Sequence, residues 1–224
     1  MPNLFLFDLD GTLVDSAPDL IGALNLTLAE EGRSPVDYAR HRADASRGAR
    51  GLLAAGFGID EHHPDFQRLR TRFLTLYADI RPVRSTVFDG VFELFEALRE
   101  RHCRLGVVTN KTEDLARPVL DAMGLTPYLD VIVGSDRQGC SLKPSPSMFA
   151  AAFADTGLTA ADTLYAGDDA RDVAAAHAAG IPCAACAWGY LHDPVETWGA
   201  DAIARLPADL LTWFEQERNR RHTP

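Results

Sequence analysis

Leu4-Phe5-Leu6-Phe7-Asp8-Leu9-Asp10-Gly11-Thr12 is the stretch on which the fold turns. Its apolar run predicts a strand over residues 3–7 buried on both faces, because a half-exposed strand would alternate apolar and polar side chains. The run stops at a carboxylate, and Gly11 permits a sharp turn just beyond it. Asp8 and Asp10 lie two residues apart, so in extended chain their side chains point the same way. A buried strand therefore delivers two carboxylates to one crevice.

Outward from that strand, further short apolar strands are expected at 104–109, 130–134, 163–166, 182–187 and 201–204. Amphipathic helices are expected between them at 88–101, 113–123, 146–155 and 171–179. This alternation predicts an α/β fold, a parallel sheet with helices on both faces. The block 16–82 breaks the alternation. Its segments 20–31, 48–55 and 66–80 carry apolar residues at helical spacing, and none reads as a strand. The expectation is a core of residues 1–15 and 83–224 with a small all-helical domain, 16–82, inserted after the first strand. A single α+β domain is the alternative.

Composition narrows the function classes. With 22 Lys and Arg against 32 Asp and Glu, the 224-residue chain carries a formal charge of −10. Such a surface repels phosphate backbones and anionic lipid, so neither nucleic acid nor membrane is an expected partner. No apolar run approaches the roughly 18 residues of a membrane span. The first residues lack the basic region of a signal peptide. Cys103, Cys140, Cys183 and Cys186 are irregularly spaced, as expected of a reduced, cytoplasmic protein; a monomer or homodimer is expected.

In open parallel sheets ligands sit beyond the carboxyl ends of the strands. Four unusual polar groups fall at such ends: Asp8 and Asp10; Thr109-Asn110; Lys143-Pro144; and Gly167-Asp168-Asp169-Ala170-Arg171-Asp172. A carboxylate ionised at neutral pH is a competent nucleophile toward phosphorus, and its neighbour can exchange protons with a leaving alkoxide and a water. The Gly11 N–H can approach a phosphoryl oxygen. Asp168 and Asp172 add negative charge, which a phosphate dianion tolerates only beside a divalent cation, and all-oxygen ligands point to Mg²⁺. Lys143 offers a second compensating charge, while Thr109 and Asn110 offer neutral donors to the equatorial oxygens. Asp172 could alternatively serve only the first turn of its helix.

Together these motifs, in this order, resemble the haloacid dehalogenase superfamily over residues 4 to about 189. The resemblance implies a Rossmann-like core with a C1-type helical cap, and within the superfamily the phosphoglycolate phosphatase group is most similar. It implies that Asp8 is the nucleophile that becomes an aspartyl phosphate and that Asp10 is the general acid/base. Thr109 would bind the phosphoryl group and Lys143 would steady its charge. Mg²⁺ would be held by Asp8, the Asp10 backbone carbonyl and Asp168, with Asp172 in support. The reaction implied is hydrolysis of a small phosphate ester. A phosphomutase would keep the same motifs, and a non-catalytic phosphate- or metal-sensing module is a further alternative. A dehalogenase would have no use for Asp10.

Asp169 departs from the pattern, since relatives often carry a small hydroxyl residue there. It leaves two candidates for the direct metal ligand, of which Asp168 is favoured by its place after Gly167. Two stretches bear on the substrate. Arg47 and Arg50, within Ser46-Arg47-Gly48-Ala49-Arg50, could bind a substrate carboxylate or simply solvate a helix. Gly48-Ala49-Arg50, and Trp188 to Pro194 with Trp198 to Asp201, resemble phosphatases acting on N-acetylmuramic acid 6-phosphate. Cys183 and Cys186 match C-x-x-C, but three apart on a strand they face opposite sides and read as buried apolar residues. His62-His63 reads as surface, and Arg218, Arg220 and Arg221 as the solvated end of the last helix.

Overall fold

A computed structural model describes residues 3–80 and 82–220; Arg221 of the basic tail lies outside them. Among these residues the strands are β1 (Leu4–Phe7), β2 (Val14–Asp15), β3 (Thr86–Val87), β4 (Arg104–Val108), β5 (Val131–Val133), β6 (Thr163–Gly167), β7 (Cys183–Cys186) and β8 (Ala202–Ala204). The helices are α1 (Ala17–Glu30), α2 (Tyr38–His41), α3 (Gly48–Phe57), α4 (Phe66–Ile80), α5 (Val91–Glu100), α6 (Glu113–Ala122), α7 (Ser147–Thr156), α8 (Ala170–Ala178) and α9 (Pro207–Arg220). Six strands form one parallel sheet in the order β5-β4-β1-β6-β7-β8. The fold is therefore the expected α/β architecture.

The period of two along β1 explains its composition. Phe5 and Phe7 enter the core formed with α5 and α9, where Phe5 meets Trp213 and Phe7 meets Phe95. Leu4 and Leu6 enter the opposite core with Met148 and Phe149 of α7 and Val173 of α8. Both faces are covered, so no polar residue is tolerated until the strand ends. Each buried side chain contributes roughly 2 kcal/mol. Between β4 and β6, β1 sits where the chain order reverses, so the crevice opens at its carboxyl end. Cys186 and Cys183 fall in these two opposite cores, and all four cysteines are free.

Helices α1, α3 and α4, with a 3-10 turn over Ala43–Arg47, enclose a third apolar cluster that includes Leu20, Leu24, Leu52, Phe66 and Phe73. The chain enters this segment through β2 and leaves it through β3, which pair antiparallel. Beside that ladder the buried Asp19 accepts from the Arg84 and Ser85 amides and from the Ser85 hydroxyl at 2.6 Å. At two residues each, β2 and β3 are too short to leave a periodic trace, and the sequence reading did not anticipate them. No helix among the described residues is long and apolar enough to cross a membrane.

Candidate active site

Asp8 follows β1 directly, and its amide still donates into the sheet, to the Ala166 carbonyl. Asp168 follows β6, and Asp172 lies in the first turn of α8. One oxygen from each of Asp8, Asp168 and Asp172 falls within 4.8 Å of the others. Lys143 reaches the group from the loop before α7, its Nζ 3.1 Å from Asp8 and 2.5 Å from Asp172. The same Nζ donates to the Tyr165 hydroxyl at 2.9 Å, and that hydroxyl lies 3.0 Å from Asp172. Asp168 accepts from the Thr12 hydroxyl at 2.9 Å and from the Tyr190 amide at 2.8 Å.

Ionised together, the three carboxylates would set three negative charges against the one ammonium of Lys143. Burial is the main reason the Asp8 carboxyl is pushed up to about 6; Lys143 opposes the rise and Asp172 adds to it. Burial likewise drives Asp168 well above the usual carboxylate range, reinforced by Asp8 and Asp172. Burial alone would depress Lys143, but Asp172 and Asp8 outweigh it and raise its pKa. This convergent all-oxygen set fits a hard divalent cation, which would neutralise the surplus.

Backbone without side chains makes the close packing possible. Gly11 has φ +84°, and a Cβ there would fall 2.1 Å from the Asp168 carboxylate; one on Gly189 would fall 2.2 Å from Asp168 Cβ. Gly11 thus matters for what it lacks. Its N–H, which the sequence expectation aims at a phosphoryl oxygen, donates to the Val14 carbonyl within the turn. Asn110, expected as a phosphate donor, has its Oδ1 on the Lys143 amide at 2.7 Å and so anchors the lysine loop. Thr109 directly follows β4 with its side chain buried, and its hydroxyl accepts from the Lys111 amide.

Asp10 occupies a different environment. The Ser16 hydroxyl donates to it at 2.5 Å, and Lys111 Nζ lies 2.9 Å away. Ser16 stands at the N-cap of α1 yet makes no side-chain cap bond, because its hydroxyl serves Asp10 instead. Lys111 also meets the Tyr77 hydroxyl of α4 at 3.2 Å, with its Nζ 4.6 Å from that ring. Burial would depress Lys111, but Asp10 prevails and raises it. Sequence reasoning missed Lys111, although it stands just past the strand-end pair Thr109-Asn110 that the sequence singled out. Ser16, Tyr77 and Tyr165 were missed as well, and nothing in their local sequence marks them.

Asp169 turns away from the carboxylate cluster. It caps α8 and takes hydrogen bonds from Ser46 and Arg171. Arg47 is exposed and, with Arg50, Arg171, Tyr190, His192 and Trp198, helps line a cavity of about 470 Å³ whose wall includes Asp168. Arg50 is paired with Glu61 at 2.6 Å. His62 and His63 are exposed.

The sequence profile of the haloacid dehalogenase-like hydrolases matches residues 5–186. The chain belongs to that family. Among its relatives, the N-acetylmuramic acid 6-phosphate phosphatase of Pseudomonas aeruginosa is 38% identical over 208 residues, 92% of each chain. The phosphoglycolate phosphatase of Xanthomonas campestris is 37% identical over 215 residues, 93% of this chain and 95% of that one. A crystal structure of a predicted phosphoglycolate phosphatase from Haemophilus somnus superposes with a TM-score of 0.83 at 26% identity, covering 95% of this haloacid dehalogenase-like hydrolase and 97% of the other chain.

Proposed function

We propose that this hydrolase is a Mg²⁺-dependent phosphomonoesterase that works through an aspartyl phosphate on Asp8. The single observation that carries this reading is the pair Asp8 and Asp10 at one strand end, each beside its own lysine. Asp8 attacks phosphorus, the bond from phosphorus to the ester oxygen breaks, and Asp10 gives its proton to the departing alkoxide. Asp10 then takes a proton from water as that water attacks the phosphoryl group, which frees Asp8 and inorganic phosphate. Lys143 steadies charge on Asp8 and the transferring group, and the end of β4 at Thr109 borders the phosphoryl oxygens. A Mg²⁺ ion held by Asp8, the Asp10 carbonyl and Asp168, with Asp172 in support, supplies the positive charge that lets a phosphate dianion approach.

Residues 16–82 act in this reading as a cap over the core of residues 1–15 and 83–224, excluding water during transfer. Contacts from Arg42 to the Gly189 carbonyl and from Tyr77 to Lys111 support that role. The substrate is 2-phosphoglycolate or a sugar phosphate such as N-acetylmuramic acid 6-phosphate, the compounds for which the two relatives are named. The cavity near Arg47, within the range of about 300–1,000 Å³ common for small-ligand sites, favours the bulkier, carboxylated ester. Four unpaired cysteines suit a reducing cytoplasm.

The test is inorganic phosphate release, with Mg²⁺, from both compounds, several hexose phosphates and p-nitrophenyl phosphate. Turnover is expected to vanish in EDTA and to fall about 10³-fold or more in Asp8→Asn. A phosphorylated isomer without free phosphate would mean a mutase. Folded protein that releases nothing from any member would overturn the phosphatase reading.

A further inference from the structure

Asp169 replaces the small hydroxyl that the family resemblance leads one to expect, and its surroundings say what the extra oxygen does. Its Oδ1 accepts from the Arg171 amide and from Arg171 Nε, both at 2.8 Å. Its Oδ2 accepts from Ser46 Oγ at 2.5 Å and from Arg171 Nη2 at 2.8 Å. Arg171 Nη2 also donates to the Ser46 carbonyl at 2.9 Å. The three residues form a closed ring that joins the 3-10 turn Ala43–Arg47 to the first turn of α8.

Both carboxylate oxygens are engaged in that ring, and neither belongs to the set formed by Asp8, Asp168 and Asp172. A serine at 169 could still cap α8, because one side-chain oxygen suffices for a cap. It could not also hold Ser46 and a guanidinium, which needs the further lone pairs of a carboxylate. The residue after Ser46 is Arg47, whose stem lies against Gly51 so closely that a Cβ there would fall 2.5 Å from Arg47 Cβ. Arg47, whose guanidinium makes no ion pair among the described residues, helps line the cavity that Asp168 also walls. Fixing Ser46 therefore fixes where Arg47 starts.

We propose that Asp169 is a positioning residue rather than a metal ligand: it clasps Ser46 and so sets Arg47 over the cavity for the part of the substrate remote from the phosphoryl group. Its effect on substrate rests on the phosphatase reading; the clasp itself does not. A charge-assisted ring this short costs little to form, since Asp169 and Arg171 are adjacent on one helix turn and only the turn Ala43–Arg47 must be brought to them.

Asp169→Ser and Ser46→Ala, singly and together, test it by two readouts. Hydrogen exchange of the amides at 43–47 is expected to quicken about tenfold in Asp169→Ser and less in Ser46→Ala, which keeps the carbonyl contact. KM for the best ester is expected to rise about tenfold in Asp169→Ser with kcat within about threefold, and the double variant to add little, as for residues that act as one unit. The Mg²⁺ concentration for half-maximal rate should stay within about twofold, because no ligand is lost. Unchanged exchange at 43–47 in both variants would overturn the clasp. A tenfold higher Mg²⁺ requirement in Asp169→Ser, with Ser46→Ala silent, would overturn it too and make Asp169 a ligand. Should the unmodified protein hydrolyse no ester, the phosphatase reading fails while the exchange data still decide the clasp.

Discussion

Two aspartate–lysine pairs stand side by side at the end of β1, and they are not equivalent. Lys143 must serve Asp8 and Asp172 at once, in a cluster where Asp168 adds a third carboxylate. Lys111 has Asp10 alone, and Ser16 and Tyr77 complete the shell. The first pair is short of positive charge and the second is balanced. Surplus negative charge suits a cation-dependent nucleophile, whereas a balanced, hydrogen-bonded carboxylate suits proton exchange. Identical residue types thus stand in different electrostatic surroundings through the count of neighbours, which is what the proposed division of roles requires.

The harshest way to break this contrast is Lys143→Met. It leaves the buried Asp168 and Asp172 and the partly buried Asp8 with no cation from the chain, and uncompensated buried charge costs about 3–5 kcal/mol. Urea unfolding of the metal-free protein should show that loss. The matching Lys111→Met strands only one carboxylate, which keeps Ser16, and should cost clearly less. Equal losses would mean that the two sites carry the same electrostatic load.

That contrast was half legible in sequence. The unbroken apolar run Leu4 to Phe7 and the polar groups at strand ends placed Asp8, Asp168 and Lys143 in one crevice, because composition and strand polarity are local properties. The partner of Asp10 was not legible. Lys111 reaches it only because β1 and β4 are neighbours in the sheet, and Tyr77 reaches Lys111 only because α4 lies over the crevice. Periodicity tells which face a side chain takes and is silent on what meets it there. The same limit explains why the contacts of the Gly11 N–H with the Val14 carbonyl and of Asn110 Oδ1 with the Lys143 amide were not anticipated. Asp169 shows the reverse case. Its oddity was visible in sequence, while its partner Ser46, 123 positions away, was not.

A cation should erase the imbalance, and pH reads out by how much. The folded-state value of about 6 for Asp8 lies above its ordinary 3.8, so the folded form binds the proton more tightly. In the metal-free protein this penalty is absent below the ordinary value, grows as pH rises, and is complete above about 6. A shift of about two units corresponds to roughly 3 kcal/mol, and Asp168 moves in the same direction. Mg²⁺ should therefore raise Tm more at pH 7.5 than at pH 5. An equal rise at both values would sink the charge-deficit account of the cluster.

The smallest effect sharpens the balanced pair. Tyr77→Phe keeps the ring that faces Lys111 and removes only the hydroxyl 3.2 Å from its Nζ. Lys111 retains Asp10, so the loss is one hydrogen bond to a charged group, about 1–2 kcal/mol at most. Tyr77 is on α4, whereas Lys111 follows β4, so the bond joins the helical segment to the sheet's crevice. Its removal should affect the approach of that segment more than the stability of either part. With a phosphate ester as substrate, KM is expected to rise about threefold while kcat stays nearly constant, and the urea midpoint should fall by no more than that one hydrogen bond accounts for. A fall in kcat with KM unchanged would place Tyr77 instead in the proton-exchange step, because the hydroxyl would then be acting through Lys111 on Asp10 itself.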